Sequence, residues 1–376
     1  MRAIFPLTCP RPYHVTEDNA TMKIESAVIA RIFRVAFTWA RVLARYGEGA
    51  MKSSELGENP GISVILPVLN EEIHLADAVN SILKQRYSGY FEIILALGPS
   101  RDRTDAIARE IAAREPRVKL VDNPTGRTPN GLNAALAISQ QPIIVRIDGH
   151  SEIPTDYLSI AVDTLKRTGA VNVGGIMAAE GTTRFESAVA SAMRSALGVG
   201  ASRFHTGGSA GDADTVYLGV FLRAALVEVG GFDERFVRAQ DWELNHRLRL
   251  KGGRIYFEPR LHVTYRPRRN LSALAKQYFE YGRWRRVVSR RHEGTINLRY
   301  LAPPFTVLGC LLSIVLGLLL HPIFYIPALI YCAFIALASI RIARGFIALL
   351  LMPLILVTMH FSWGIGFLTS PKNLVP

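Results

Sequence analysis

Three cysteines in 376 residues, Cys9, Cys310 and Cys332, are too few and too scattered for a disulfide framework, and no Cys-x-x-Cys pair suggests a zinc site. Wholesale disorder is excluded by 49% hydrophobic and 9% aromatic residues. The most uneven shortage is of acids. From Leu301 to Pro376 there is no Asp or Glu, and only Arg341, Arg344 and Lys372 are basic. All 31 acidic residues lie in the first 300, together with nearly all of the base that makes the net charge +13. The chain therefore reads as a soluble-type domain joined to a membrane-type tail. Its basic excess fits nucleic acid, an anionic membrane surface or phosphorylated substrates. The base is gathered beside the apolar tail, which leaves no nucleic acid among the expected partners.

Three regions follow along the chain. Residues 1–60 form an N-terminal arm and linker. Within it, residues 27–46 suggest a helix with Arg31, Arg34, Arg41 and Arg45 on one stripe. The arginines interrupt any signal-peptide core and any span, leaving an interfacial helix on an anionic leaflet or a surface helix packed on the domain. Residues 61–300 alternate apolar strands, beginning at Ile62–Pro67, Phe91–Leu97, Val118–Val121 and Pro142–Ile147, with helical segments. That pattern predicts an α/β, doubly wound, mainly parallel sheet. Residues 301–376 hold three apolar segments, Pro303–Leu320, Pro322–Ser339 and Phe346–Leu368, each near the roughly 20 residues a span needs. His321-Pro322 leaves room for only a tight hairpin, so the first two either cross or re-enter. Arg341 and Arg344 suggest a cytoplasmic loop, and three crossings would then put the end of the tail outside.

Ligands of such sheets bind beyond the carboxyl ends of the strands, and polar clusters sit there: Asn70-Glu71-Glu72, Ser100–Asp105 and Asp148-Gly149-His150. Asp148 and His150 can hold a hard divalent cation, with the imidazole tilting the choice toward Mn²⁺ over Mg²⁺. A strand-end Asp-Gly turn explains the same residues without a metal. Asp241 and Glu243 precede the helical run Asn245–Lys251. A carboxylate there can take a proton from an attacking hydroxyl, or merely cap a helix. The stretch Gln277–Arg286 is basic and aromatic and lies just before the tail. It reads both as a clamp for phosphates and as a juxtamembrane anchor.

In order, Ile62–Glu71, Ser100–Thr104, Gly131-Leu132-Asn133, Asp148-Gly149-His150 and Gln240–Leu244 resemble the motifs of inverting family 2 glycosyltransferases of GT-A fold. Tyr265-Arg266-Pro267-Arg268 and Gln277–Trp284 look most like the succinoglycan-type exopolysaccharide enzymes. The resemblance covers about residues 60–300. It implies a donor pocket of Pro67, Asn70, Glu71, Asp102 and Asn133. It implies Asp148 and His150 as the metal and diphosphate site, with Mn or Mg as the cofactor. Asp241 would be the catalytic base, and Gln277, Arg283 and Trp284 would lie near diphosphate and acceptor. The implied partners are a nucleotide-sugar donor, a UDP-sugar foremost, and a polyprenyl-linked or polysaccharide acceptor. The implied location is the cell membrane, multi-pass, with a cytoplasmic catalytic domain. Two departures stand out. Leu97-Gly98-Pro99-Ser100 replaces the Asp-Asp-Gly-Ser run usual in the family, and Glu280 stands where processive synthases carry Gln three residues before Arg283. A processive polymerase is thereby disfavoured. A nucleotidyltransferase and a non-catalytic sugar- or nucleotide-binding protein remain as alternatives.

Overall fold

The computed structural model describes residues 53–200, 202–296 and 298–375. The helix read over residues 27–46 lies outside them. The first half follows the expected alternation: β1 Ile62–Val68, α1 Leu75–Leu83, β2 Phe91–Leu97, α2 Thr104–Arg114, β3 Val118–Asp122, α3 Thr128–Ile138, β4 Ile143–Arg146, α4 Tyr157–Thr168. Then come β5 Asn172–Ala179, α5 Arg184–Met193, two single turns (α6 Ala196–Val199 and α7 Arg203–Thr206), β6 Gly211–Asp212, β7 Tyr217–Leu222, α8 Arg223–Glu228, α9 Gln240–Leu250 and β8 Ile255–Tyr265. The strands form one sheet of order β3-β2-β1-β4-β7-β5-β8-β6. β1 to β4 are mutually parallel, while β7 runs antiparallel to both its neighbours. The sheet is therefore mixed, with a parallel half that carries the strand-end loops.

Burial explains the run-like composition of these strands. Every residue of β2 is buried, and β1 shows only Pro67 in part, because helices cover both faces. The core gathers Ile62, Val64, Leu66, Ile93, Leu95, Ile143 and Val145 against Leu75, Val79 and Ile82 of α1 and Tyr157, Leu158 and Ala161 of α4. α1 presents its apolar residues at helical spacing, so one face packs and Asp77 stays outside.

α9 differs from the sequence expectation. It starts at Gln240, so Asp241 and Glu243 sit inside its first turn, not ahead of it. The break is made by Ala239, whose φ of 58° places a non-glycine residue in the left-handed region. Two acids in a first turn complement the positive end of the helix dipole.

After β8 come α10 Leu271–Arg291 and then the helices of the tail: α11 Leu298–Leu319, a 3₁₀ turn Pro322–Tyr325, α12 Ile326–Ile342 and α13 Phe346–Leu368. The three segments Leu298–Leu319, Pro322–Ile342 and Phe346–Leu368 are long and apolar enough to cross a membrane. α11 and α12 form the tight hairpin expected at His321, closed by Ser313 Oγ donating to Phe324 O at 2.5 Å. α13 lies along the α/β domain. Met352, Ile355, Leu356 and Met359 share a core with Met177, Val189, Met193, Leu274 and Tyr278. Residues 344–348 border a groove against residues 179–194. At the other end Arg290 donates to Ser370 O and Pro371 O, and Leu374 and Val375 pack on Phe236 and Trp284. α10 and α13 touch backbone to backbone: a Cβ on Gly282 would sit 2.0 Å from Trp363 O, and one on Gly366 2.0 Å from Phe279 O. Glycine is required at both positions for this approach. Residues 370–375 thus pack beside the α/β domain.

Candidate active site

The loops that follow β1 and β2 are laced together. The backbone N–H groups of Asn70, Glu71 and Glu72 donate to Ser100 Oγ (3.1 Å), Thr104 Oγ1 (2.7 Å) and Asp102 Oδ2 (3.3 Å). In return Arg101 N donates to Asn70 Oδ1 at 2.8 Å and Arg103 N to Glu72 Oε2 at 3.1 Å. Asn70 adopts φ 55°, a left-handed turn that asparagine tolerates. Asp102 Oδ1 also accepts from Thr104 Oγ1 at 2.5 Å and Thr104 N at 3.0 Å. These bonds, the Thr104 hydroxyl first, hold its carboxyl below the ordinary value. Asn70 and Asp102, expected in the donor pocket, thus tie the two loops together. Pro67 lies half-buried at the end of β1.

The centre of the site is a residue the sequence reading missed. Arg146 ends β4 and is only 4% exposed. Its Nε and Nη2 donate to Asp148 Oδ1 at 3.2 and 3.0 Å, and its Nη1 donates to Asp241 Oδ1. One guanidinium fork thereby joins the strand-end Asp148 to the first turn of α9. Burial raises the Asp241 carboxyl above its ordinary 3.8, Arg146 pulls it down, Asp148 pushes it up, and the net direction is upward. Arg146 itself is held protonated against its burial by the two carboxylates.

His150 completes the group. Its Nδ1 lies 2.8 Å from Glu71 Oε1. That hydrogen bond raises the imidazole above 6.5, helped by Asp148 and opposed by burial and by Arg268. Glu71, Arg146, Asp148, His150 and Asp241, from three separate stretches of sequence, therefore converge. Tyr217 of β7 lies within electrostatic reach of Asp148, Arg146 and Tyr265, and burial holds its phenol protonated.

The remaining expected residues divide. Gln277 is buried, and its Nε2 donates to Tyr265 Oη at 2.6 Å and Tyr281 Oη at 2.7 Å. It thus continues the Tyr217–Tyr265 line toward α10. Exposed Arg238 and Arg268 act on the phenol of Tyr281 from nearby and are further basic groups of this wall. Asn133 is buried and spends its amide on the loop before α9: Nδ2 donates to Phe232 O (2.8 Å) and Glu234 Oε1 (3.0 Å), and Oδ1 accepts from Phe232 N (2.9 Å). Its contact is with the chain that leads to Asp241, not with an open pocket. Arg283 and Trp284 also depart from expectation. Arg283 pairs with Glu280 at 2.8 Å, and Trp284 is buried with Phe236, Val287 and Val288. Trp284 shares the stripe of Gln277 but sits two turns, about 10 Å, further along α10, where it supports the Phe236 loop.

Among the described residues no group of three or more His, Cys, Asp and Glu side chains gathers to hold a metal by itself. The donor set nevertheless suits one type of cation site. A magnesium- or manganese-like ion takes one or two protein groups and completes its shell with substrate phosphates. Asp148 is partly exposed at the strand end. A His150 whose Nδ1 faces a carboxylate keeps Nε2 for a ligand, the arrangement usual behind metal-binding imidazoles.

Comparison with known proteins bears on this geometry. Residues 63–220 match the profile of glycosyl transferase family 2. The chain is 32% identical over 324 residues to the succinoglycan biosynthesis protein ExoA of Rhizobium meliloti, covering 84% of this chain and 96% of that one. It is 26% identical over 316 residues to a dolichyl N-acetyl-alpha-D-glucosaminyl phosphate 3-beta-D-2,3-diacetamido-2,3-dideoxy-beta-D-glucuronosyltransferase of Methanococcus voltae, covering 81% of this chain and 95% of that one. Among solved structures, the mannosyltransferase PcManGT of Pyrobaculum calidifontis, in complex with GDP-Man and Mn²⁺, superposes with a TM-score of 0.54 at 19% identity, over 92% of this chain and 97% of that one. The shared fold is the GT-A arrangement of a mixed α/β sheet.

Proposed function

The chain belongs to glycosyl transferase family 2, and on that premise we propose that it moves a sugar from a nucleotide-diphosphate donor to a lipid-linked saccharide, with inversion, in cell-surface or exopolysaccharide synthesis. The observation that carries this reading is the Arg146 fork, which holds Asp148 and Asp241 on one guanidinium.

In this mechanism the donor lies beyond the ends of β1, β2 and β4. Pro67, Asn70, Glu71 and Asp102 line its base and ribose. Asp148 and His150 would hold a divalent cation, Mn²⁺ or Mg²⁺, which would neutralise the diphosphate as charge develops on it. Asp241 accepts the proton of an acceptor hydroxyl. The hydroxyl oxygen bonds to the anomeric carbon as the bond from that carbon to the diphosphate oxygen breaks on the opposite face. The electron pair leaves with the nucleoside diphosphate, and a raised carboxyl makes Asp241 a stronger base than an exposed aspartate. Fixing both reactants in line is worth roughly 7–11 kcal/mol of barrier.

The acceptor would lie on the α10 side, near Gln277, Tyr281, Arg238 and Arg268. A lipid-linked acceptor is supported by the apolar tail and by the Methanococcus voltae relative, whose name describes a dolichyl-linked one. The donor is a UDP-sugar in the sequence reading, although the structural neighbour holds GDP-Man. The catalytic domain faces the cytoplasm. The α11–α12 hairpin enters the bilayer, while α13 lies in its surface against the domain.

The test separates binding from turnover. Asp241→Asn should abolish transfer while the nucleotide-sugar Kd, read by calorimetry with Mn²⁺, stays within about threefold of wild type. Asp148→Ala should lose the metal-dependent part of that binding. Turnover in Asp241→Asn would remove the base assignment. Unchanged metal-dependent binding in Asp148→Ala would remove the cation site. Donor binding without turnover by the wild-type chain with any acceptor would favour a non-catalytic binding protein.

A further inference from the structure

About a quarter turn around α9 from Asp241, the residues Trp242, His246 and Arg249 form a second stripe. Together with Arg285 of α10, residues 294–296 and Tyr300 of α11 they enclose a cavity of about 180 Å³, which Asp214 also borders. Neither Asp148, His150, Arg146 nor Asp241 lines it.

The polar groups around this cavity are donors short of acceptors. Arg285 is 7% exposed, and its guanidinium lies 3.9 Å over the ring of Trp242 and 3.6 Å over that of Tyr300. Its Nη2 donates to Thr295 O at 2.7 Å, but its Nε–H has no partner. The indole N–H of Trp242 and the Nε–H of Arg249 are likewise buried and unpaired. None of these three nitrogens can accept a hydrogen bond. Positive groups outnumber the one acid on the wall. Asp214 is shared with Arg249 Nη1 at 3.4 Å, and Arg299 adds repulsion from nearby. Burial pushes the Arg285 guanidinium down to about 10, with Arg299 adding to the fall and Tyr300 and Asp214 opposing it. His246 is also pushed down, by burial and then by His292. Native proteins seldom leave several buried donors unpaired in one place, and such a group marks an absent ligand or water.

We propose that this cavity is a binding site for a phosphate group. A tetrahedral oxyanion offers acceptors in several directions at once and can meet the unpaired Nε–H groups of Arg285 and Arg249 and the Trp242 indole N–H, with Asp214 the one carboxylate on the wall. The volume is several times the roughly 30 Å³ share of a water molecule, enough for a phosphate carrying an organic ester. The position favours a phospholipid headgroup, because Tyr300 stands in the first turn of α11, where the catalytic domain meets its first apolar helix. Inorganic phosphate shares the chemistry. A bound phosphate would fix Trp242, the residue after Asp241, and so couple the membrane surface to the catalytic helix.

The test uses the full chain in maltoside detergent, in phosphate-free buffer at constant ionic strength. It is titrated separately with inorganic phosphate and with dihexanoyl phosphatidic acid, and apparent Kd is read from the shift in Tm. At least one of the two should raise Tm saturably in the wild-type chain, and Arg249→Gln should weaken that binding about tenfold or more. Lipid binding about tenfold tighter than inorganic phosphate assigns a headgroup, and equal binding assigns the free anion. Failure of both to saturate, or equal binding by wild type and Arg249→Gln, overturns the site. Arg285→Gln would also remove the stacked guanidinium from the core. Arg249, whose side chain is 35% exposed, therefore carries the test.

Discussion

At the scale of the residue, Arg146 decides what the two aspartates can do. It is a buried cation between two partly exposed carboxylates, and each acid gains what the arginine loses by leaving water. Removing it leaves burial and the Asp148 charge both acting on Asp241 in the same direction. Arg146→Met should therefore move the acid limb of the kcat profile to higher pH. If Asp241 is the base, then below its folded pKa it is protonated and idle, and activity should rise as pH climbs through that value. Burial already raises the group above its ordinary 3.8, so the wild-type limb is expected above that value. The variant should also lose stability, but less than the about 3–5 kcal/mol that an unpaired, fully buried charge costs, because the two carboxylates left behind are partly exposed. A pH–rate profile and a denaturant melt check both effects, and an unmoved limb would show that Arg146 does not tune Asp241. Asp148 and Asp241 were legible because each stands where a strand ends or a helix begins. Arg146 was not, since Ile143–Ile147 averages to an apolar strand. The signal was present nonetheless: a lone charge in a strand buried on both faces demands a partner. The role of Asn133 could not be read, because its partners Phe232 and Glu234 lie about a hundred residues away.

At the scale of the element, α9 carries the main departure from the sequence reading, and α13 makes contacts that the sequence did not show. α9 was expected to start after its acids, and Ala239 in the left-handed region starts it before them. No propensity rule reads a left-handed alanine, which is strained and persists only when its surroundings impose it. α13 has the length and composition of a span, and length and composition were all the sequence offered. Its 23 residues would reach about 35 Å, more than the roughly 30 Å of a hydrocarbon core. In the structure its middle also packs on Met177, Val189 and Met193, and the residues that follow it bond to Arg290. The close approach of Gly282 to Trp363 and of Gly366 to Phe279 is visible only once two distant helices are brought together. With the native cysteines replaced by Ser, Asn373→Cys should react with an impermeant maleimide from the same side of sealed vesicles as Lys251→Cys of the catalytic domain. His321→Cys at the hairpin tip should not react from that side. Labelling of Asn373→Cys from the opposite side would make α13 a crossing helix.

At the scale of the whole molecule, the absence of acids after residue 300 separates two functions. The parallel half of the sheet gathers Glu71, Asp148 and His150 beyond its strand ends, and α9 brings Asp241 to them. α10 then joins that site to an apolar slab through its glycine seam and through Arg285. Such a molecule is suited to a water-soluble donor and an acceptor held at a membrane surface. Inverting transfer at this site is tested most directly by the anomeric configuration of the first glycoside formed. The wild-type chain in membranes would be given an α-linked nucleotide sugar and a lipid-linked acceptor, and the product followed by proton NMR. Single-step displacement predicts a β-glycoside, with one nucleoside diphosphate released per bond made. An α-glycoside, or diphosphate released without any glycoside, would contradict it.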